Sequence, residues 1–307
     1  MLMLLYGCSN ESLEGVANTE SFIAAINILE PSVQFFNEEG ETLAIWQFEQ
    51  AYTGGVLIQN KRLLLYGNQL TEADIYELST GEKIASIDTP VGTTYSYYDD
   101  TSNTIFIANS QTNKVYSYDE NGKQLGEVKV RNYPMSMVAK DGLLYVVNYK
   151  DTLLSVIDIT TQQAVDEWTI PSSSHGLWLD ETNGELWLGG HGEGTTANET
   201  IAIYNIDRGE KVRELKVPMM PIQIASNGEQ QAVVSHGSSM LYIIEDGTIV
   251  QQIKVGANPF SVSFYKEQIV VAGYDDNKLY FLKDGEIYKR ISTNEGPFQL
   301  LTREVLQ

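Results

Sequence analysis

The amino-acid sequence predicts an all-β fold made of seven repeated units, and three observations support this prediction. Short apolar segments of strand-like composition recur along the 307 residues, and no segment has a convincing helical period. A turn after the third segment of each unit recurs about every forty residues. One segment is missing at the start of the chain and one is spare at its end. Units of this length stack radially to bury both faces, so we expect a seven-bladed β-propeller of four-stranded blades.

The unit is clearest in two consecutive copies, residues 94–130 and 134–170. The first copy reads TYSYYDD, TIFIANS, KVYSYDENG and KQLGEVKV, and the second reads PMSMVAKDG, LLYVVNY, LLSVIDITT and AVDEWTI. A tight hairpin favours glycine because one of its residues needs a positive φ. The turn after the third strand ends at Gly40, Gly81, Gly122, Gln163, Gly209, Gly247 and Gly285. Gln163 is the exception, so we expect a different turn geometry there.

The two ends of the repeat region complement each other. Before Gly40 there is one strand, SFIAAINI, ahead of SVQFFNEEG, so the first blade lacks its innermost strand. After Gly285 the segment EIYKRIS completes the last blade and PFQLLTREV is left over. We expect this C-terminal strand to complete the first blade, because a closed ring has no exposed sheet edge. The predicted propeller domain spans residues 21–307.

The N-terminal segment MLMLLYGC is an apolar run that ends in glycine and the single cysteine, Cys8. It resembles a bacterial lipoprotein signal, although Tyr6 is bulky and no Lys or Arg precedes the run. The resemblance implies that residues 1–8 are a signal remnant, that Cys8 is lipidated, and that 9–20 are a flexible tether. The domain would then lie outside the cell, anchored to a bacterial membrane. The alternative is a frayed apolar terminus with a free thiol.

The composition restricts the partners. A hydrophobic fraction of 42% is enough for a packed core. The net charge of −21, from 41 acidic and 20 basic residues, disfavours binding to nucleic acid and to anionic lipid. No apolar run of 18 residues occurs, so we expect membrane contact only through the lipid anchor. We expect a monomer.

Two stretches resemble a known repeat. Residues 143–165, LLYVVNYKDTLLSVIDITTQQAV, resemble the YVTN repeat of bacterial seven-bladed propellers, and residues 104–123 are a second copy. Members of that family include secreted and lipid-anchored proteins. The resemblance implies a fold and an extracytoplasmic location, and it implies little about chemistry.

One face of the predicted ring carries the candidate binding residues. Loops between second and third strands emerge on this face together with the loops between blades, and propeller ligands usually bind there. Rigid rings and amides suit a binding surface. The candidate residues are Tyr52, Tyr95, Asn109, Tyr133, Asn148 and Tyr274; Phe260 and Phe298 share the face. Asparagine is also a common turn former. The predicted function is a binding module for a peptide, glycan or partner protein, without a cofactor.

The alternative function is enzymatic. The only three histidines, His175, His191 and His236, fall on the same face in two neighbouring blades, and Glu193 follows in the longest loop. Imidazoles and a carboxylate could hold a divalent metal for a lyase or hydrolase, with Glu193 or one histidine as base. By residue type and position this resembles propellers of the streptogramin-lyase type. Glycines 189–190 could instead simply permit a tight turn. No other complete catalytic motif occurs, so the sequence favours binding over catalysis.

Overall fold

The structure is a computed structural model that describes residues 13–305. Within this range the chain forms thirty β-strands and one short 3₁₀ helix, η1 (His236–Ser238). The strands form seven four-stranded antiparallel sheets arranged in a ring, with one small two-stranded sheet inserted in blade 5. The predicted seven-bladed β-propeller is confirmed. No helix in the described part of the chain is long and apolar enough to cross a membrane.

Blades 1 to 3 are formed by strands that end at Lys129, together with the last strand of the chain. Blade 1 consists of β1 (Phe22–Asn27), β2 (Ser32–Phe36), β3 (Thr42–Gln47) and β30 (Pro297–Arg303). Blade 2 consists of β4 (Gly54–Ile58), β5 (Arg62–Tyr66), β6 (Glu72–Glu77) and β7 (Glu82–Asp88). Blade 3 consists of β8 (Thr93–Asp99), β9 (Thr104–Asn109), β10 (Lys114–Asp119) and β11 (Gln124–Lys129).

Blades 4 to 7 follow in chain order. Blade 4 consists of β12 (Pro134–Lys140), β13 (Leu143–Asn148), β14 (Leu153–Asp158) and β15 (Gln163–Thr169). Blade 5 consists of β16 (Ser174–Asp180), β17 (Glu185–Gly190), β20 (Thr200–Asn205) and β21 (Glu210–Lys216), with the inserted hairpin β18 (Gly192–Glu193) and β19 (Thr196–Ala197). Blade 6 consists of β22 (Pro221–Ser226), β23 (Gln231–Ser235), β24 (Met240–Glu245) and β25 (Thr248–Lys254). Blade 7 consists of β26 (Pro259–Tyr265), β27 (Gln268–Gly273), β28 (Lys278–Lys283) and β29 (Glu286–Ser292).

The ring closes as predicted. The first sheet has the order β3-β2-β1-β30, so the last strand of the chain is the innermost strand of blade 1. It pairs antiparallel with β1, with Phe22 opposite Arg303 and Ala24 opposite Leu301. Closure by two distant parts of the chain leaves every inner strand paired, which removes exposed edges at the junction.

Strand composition follows position within the blade. The second strands are buried on both faces, as in β9, and therefore read as continuous apolar runs. The outermost strands alternate between exposed and half-buried residues, as in β29. Neighbouring blades pack through aromatic and aliphatic side chains. Between blades 1 and 2, Trp46 packs against Phe35 and Tyr76, with ring centroids 4.8 and 5.5 Å apart.

The turns after the third strands contain residues in the left-handed region, as the repeated glycines predict. The expectation of a different geometry at Gln163 is wrong, because the equivalent residue is Gln162, with φ of 55°. Its N–H donates to Asp158 O at 2.9 Å, just as the N–H of Gly81 donates to Glu77 O at 2.8 Å. The turn is conserved in shape among these blades, and β15 begins one residue after it.

Of residues 9–20, expected to be a flexible tether, the structure describes 13–20, and this segment packs against the ring on the face opposite the histidines. Val16 is 2% exposed, and its N–H donates to Leu78 O at 2.7 Å. The buried guanidinium of Arg303 donates to the carbonyl oxygens of Ala17 and Glu20. An apolar side chain and a buried cation that needs acceptors therefore fix this segment. Cys8 lies outside the described residues.

Candidate functional site

In six of the seven blades the innermost strand brings one side chain into the central channel. At the start of five of these strands, and near the start of β30, the pairing register shifts and one or two residues bulge out of the ladder. A bulge re-aims a side chain, here toward the channel axis. We call these the throat residues: Thr94, Met135, His175, Ile222, Phe260 and Phe298, all of which line the central cavity. Blade 2 has no such bulge and contributes Tyr66 from its second strand.

The throat encloses a cavity of about 220 Å³, and none of its lining residues is Asp, Glu, Lys or Arg. Its polar side chains are used to join neighbouring blades. The Thr94 hydroxyl donates to Pro134 O at 2.6 Å, and the Ser136 hydroxyl donates to His175 O at 2.7 Å. Gln223 accepts the N–H of Val262 in the same way at 2.6 Å. The throat of this acidic protein is therefore uncharged, and much of its polar lining is already hydrogen-bonded.

A second position in each blade forms the rim above the throat. It is the residue that follows the second strand, and in blades 4 to 7 it carries a ring. The backbone N–H of each rim residue donates to the carbonyl of a positive-φ residue in the preceding inter-blade loop. The donor–acceptor pairs are Tyr149 to Tyr133 (2.8 Å), His191 to Ser173 (3.0 Å), His236 to Met220 (3.1 Å) and Tyr274 to Asn258 (3.3 Å). One repeated backbone arrangement therefore positions all four rings.

Rim and throat rings touch in a continuous series, which we call the ring arc. Its eight members are Tyr133, Tyr149, His175, His191, His236, Phe260, Tyr274 and Phe298. The central pairs are Tyr149–His191, His175–His191 and His191–His236, with centroids 5.7, 5.6 and 5.8 Å apart. Phe260 continues the series with contacts at 4.5 to 5.1 Å to His236, Phe298 and Tyr274. Tyr133 ends the series at 5.9 Å from Tyr149. These separations lie in the range where aromatic pairs attract.

Glycines bring blades 5 and 6 close together at the histidines. A Cβ on Gly189 would overlap the carbonyl oxygen of Pro221, and a Cβ on Gly176 would lie 2.6 Å from Ile222 O. The glycine pair before His191 therefore serves close packing, since Gly190 is equally crowded by Ser173 O. Without these glycines the blade 6 backbone could not approach β16 and β17.

The long loop of blade 5 holds His191 in place. It forms the hairpin β18–β19, and Asn198 just after it donates its N–H to His191 O at 2.9 Å. The Asn198 side chain donates to Thr200 O at 2.7 Å. Glu193 is exposed at this hairpin. The insertion therefore supports the rim from outside, with its carboxylate in solvent.

The three imidazoles are uncharged at neutral pH. Burial, together with a smaller contribution from the neighbouring His191 and His236, lowers the pKa of His175 to about 3. Burial also lowers the pKa of His191 and of His236, with Asp275 partly opposing the shift at His236. The Nδ1 atom of each ring is buried and has no hydrogen-bond partner among the described residues. The cluster therefore offers neutral, unsatisfied imidazoles.

The arrangement does not fit a shared metal ion. Within residues 13–305 no group of three or more His, Cys, Asp or Glu side chains is placed to hold one. The solvent-exposed Glu193 does not complete a ligand set with the three imidazoles.

The predicted face residues divide into two groups. Tyr133 and Tyr274 belong to the ring arc, and Tyr95 lines the cavity, where burial raises its pKa to about 12. The other three, Tyr52, Asn109 and Asn148, are buried, so their side chains offer little surface to a ligand. Their exposed fractions are 7%, 0% and 0%.

Hydrogen bonds explain the buried group. The Tyr52 hydroxyl donates to Asp74 between blades 1 and 2. Asn109 Oδ1 accepts the backbone N–H groups of the turn that follows β9, at 3.0 Å each. Asn148 Nδ2 donates to Leu153 O at 2.8 Å. These asparagines stabilise turns, which was the alternative explanation for them.

Sequence reasoning missed Tyr149. Counting back from His191 and His236 along the repeat leads to the residue after LYVVN, which is Tyr149 and not Asn148. The rim position of blade 4 was therefore placed one residue too early. In a strand, neighbouring side chains point to opposite faces of the sheet, so a shift of one residue changes the face.

Comparisons with known proteins support the fold alone. No family model matches the chain, and neither does any curated protein. Among solved structures, the chain is similar to Kuenenia stuttgartiensis hydrazine synthase, with a TM-score of 0.76 and 14% identity over 92% of this chain and 100% of that one. A functionally unknown protein from Desulfotomaculum acetoxidans gives a TM-score of 0.78 at 10% identity, over 92% and 99% of the two chains. Apo AztD from Citrobacter koseri gives a TM-score of 0.65 at 12% identity, over 92% of this chain and 97% of that one.

Proposed function

We propose that this protein is a binding module that holds a peptide, glycan or partner protein at the ring arc. The observation that carries the proposal is the arc itself: eight rings in mutual contact around an uncharged cavity at one end of the channel. Rings that pack against one another present a large contact area with little side-chain entropy left to lose.

The same proposal includes a location. The sequence MLMLLYGC supports lipidation of Cys8, and the YVTN-like stretches support membership of a family with lipid-anchored members. Leu13 is five positions after Cys8, a distance of at most about 18 Å along the chain. Since the segment 13–20 packs on the face opposite the ring arc, the arc would point away from the membrane. Mass spectrometry of the full chain expressed in bacteria should find a diacylglycerol-modified Cys8 in the membrane fraction. A Cys8→Ala variant that fractionates like the wild type would contradict the anchor.

Three histidines in one place give a direct test of binding. Each imidazole Cε1–H group yields one signal in a proton–carbon NMR spectrum, and single His→Gln variants assign all three. We expect that, in a screen of N-acetylated dipeptide amides and of chitotetraose, cellotetraose and maltotetraose, any binder shifts the His191 and His236 signals.

A matched control removes an exposed ring elsewhere. Tyr288 is 53% exposed on the outermost strand of blade 7, so Tyr288→Ala should leave binding unchanged. Tyr149→Ala should weaken it. If binders shift resonances of other surfaces and leave the histidines unchanged, or if none of the probes binds, the proposal is wrong.

A further inference from the structure

We infer that the throat takes one uncharged aromatic side chain, so that the ligand is a peptide segment that presents tyrosine or a similar ring. This inference rests on the proposed binding function and names the ligand class. It follows from the size of the cavity, from the charge of its walls and from one unsatisfied nitrogen.

Cavity size sets the scale of the group that enters. A buried apolar cavity of about 150 Å³ holds a benzene molecule, whereas pockets for whole drug-sized ligands begin at about 300 Å³. The throat, at about 220 Å³, lies between these values. It therefore has room for one substituted ring and not for an oligosaccharide or a whole peptide. The rest of the ligand must lie across the rim.

The walls select against charge. No lining residue carries a formal charge, and a charged group would lose its hydration without gaining an ion pair. Phe260 and Phe298 present their rings to the cavity at a mutual distance of 4.9 Å and an angle of 42°. An entering ring can extend this tilted packing, which favours an aromatic group over an aliphatic one.

One unpaired nitrogen indicates that the ring of the ligand carries a hydroxyl group. His175 lines the cavity, and its imidazole makes no hydrogen bond to the described residues. Its Nδ1 atom is buried, which leaves Nε2 as the nitrogen that a ligand in the cavity can reach. A neutral imidazole nitrogen accepts a hydrogen bond from a phenol O–H. Tyrosine combines this donor with an uncharged ring.

Calorimetry or NMR titration of the whole protein with N-acetyl-L-tyrosinamide, N-acetyl-L-leucinamide and N-acetyl-L-lysinamide tests the inference. For ligands of this size we expect the tyrosine derivative to bind with a Kd on the order of 1 mM and the other two at least about tenfold more weakly. Met135→Trp fills the throat and should remove tyrosinamide binding. Met219→Trp makes the same change at a residue that is 41% exposed outside the cavity, and binding should persist.

A second variant covers the case in which Met135→Trp does not fold. Phe298→Leu keeps an apolar wall but removes one ring, and should weaken tyrosinamide binding several-fold relative to the wild type. Equal binding of the leucine or lysine derivative, or unchanged tyrosinamide binding by folded Met135→Trp, would overturn the inference. If tyrosinamide fails while other probes still shift His191 and His236, the inference is wrong and the proposed function stands. If no probe binds, both are wrong.

Discussion

The two halves of the channel mouth, in blades 1 to 3 and in blades 4 to 7, have the same backbone arrangement and differ in their side chains. In blades 1 to 3 the residue after the second strand is Ile28, Gly67 or Ser110, whereas in blades 4 to 7 it is tyrosine or histidine. Ile28 and Ser110 donate their N–H to the preceding inter-blade loop at 3.0 and 2.8 Å, as the ring-bearing residues do. The repeat therefore supplies equivalent positions around the ring, and within residues 13–305 only those of blades 4 to 7 carry an aromatic or imidazole ring.

The halves also differ in how closely the blades approach. Gly189 of blade 5 occupies the position of Ala108 in blade 3 and Val147 in blade 4. The glycine is required because the Pro221 carbonyl of blade 6 occupies the space of a side chain. The histidines are thus brought together by backbone packing specific to one junction, and not by the repeat in general.

The largest effect, on stability, should come from replacing Gly189 of blade 5 by valine, the residue at the equivalent position of blade 4. Gly189→Val places a branched side chain against the Pro221 carbonyl, and we expect the free energy of unfolding to fall by about 3 kcal/mol. Gly142→Ala in blade 4, where a Cβ would meet no atom within 4 Å, should cost about 1 kcal/mol for its positive φ. Urea unfolding followed by tryptophan fluorescence measures both. Similar losses for the two variants would show that the junction is not closely packed.

A smaller effect, on ligand affinity, should distinguish the rim positions of blades 4 to 7 from those of blades 1 to 3. Tyr149→Ala removes a ring that packs against His191 and Tyr133, and we expect ligand affinity to fall about tenfold or more, or about 1.4 kcal/mol. Ser110→Ala alters the equivalent position of blade 3 and should leave affinity unchanged. Titration with any binder from the peptide and oligosaccharide screen measures both. Equal losses would mean that the ligand spans the whole mouth.

The smallest effect should be a pH dependence confined to the histidine half. The folded-state pKa values of the histidines lie below the ordinary value near 6.5, so the unfolded chain binds more protons between the two values. Their contribution to stability is therefore complete above pH 6.5 and is lost as pH falls toward the folded pKa, about 3 for His175.

Between pH 6.5 and 5 most carboxylates stay ionised, so this window isolates the histidines. We expect His175→Gln to reduce the loss of stability by up to about 1.4 kcal/mol per pH unit, while Ser110→Ala keeps the wild-type slope. Urea midpoints across the window give the comparison. A variant slope equal to that of the wild type would mean that His175 is not buried in the neutral form.

The fold could be predicted because its signals are local and repeated. Glycine turns, apolar runs and the spare C-terminal strand each have a direct physical cause, and all three agree on the number of blades. The packing of segment 13–20 could not be predicted, because it depends on Arg303, which is almost three hundred residues away and is buried under that segment.

The site could be predicted only in part. The three histidines and Tyr274 were identified because their residue types are unusual for a loop. Tyr149 was missed because the second strand ends at Asn148, as predicted, whereas the rim residue is the next one along the chain, and a difference of one residue cannot be detected without the pairing. The contacts among rings depend on the bulges of the inner strands and on the glycines at one junction, and neither has a unique sequence pattern.

If the ring-bearing half of the mouth holds the ligand, as we propose, a bound ligand lies close to the throat residues. Intermolecular nuclear Overhauser effects between the ring protons of N-acetyl-L-tyrosinamide and the protein measure this contact directly. We expect cross-peaks to Phe260, Phe298 and Met135 in the throat, and none to Ile28 of blade 1. Cross-peaks to Ile28 and Ser110 without any to Phe260 and Phe298 would contradict this proposal.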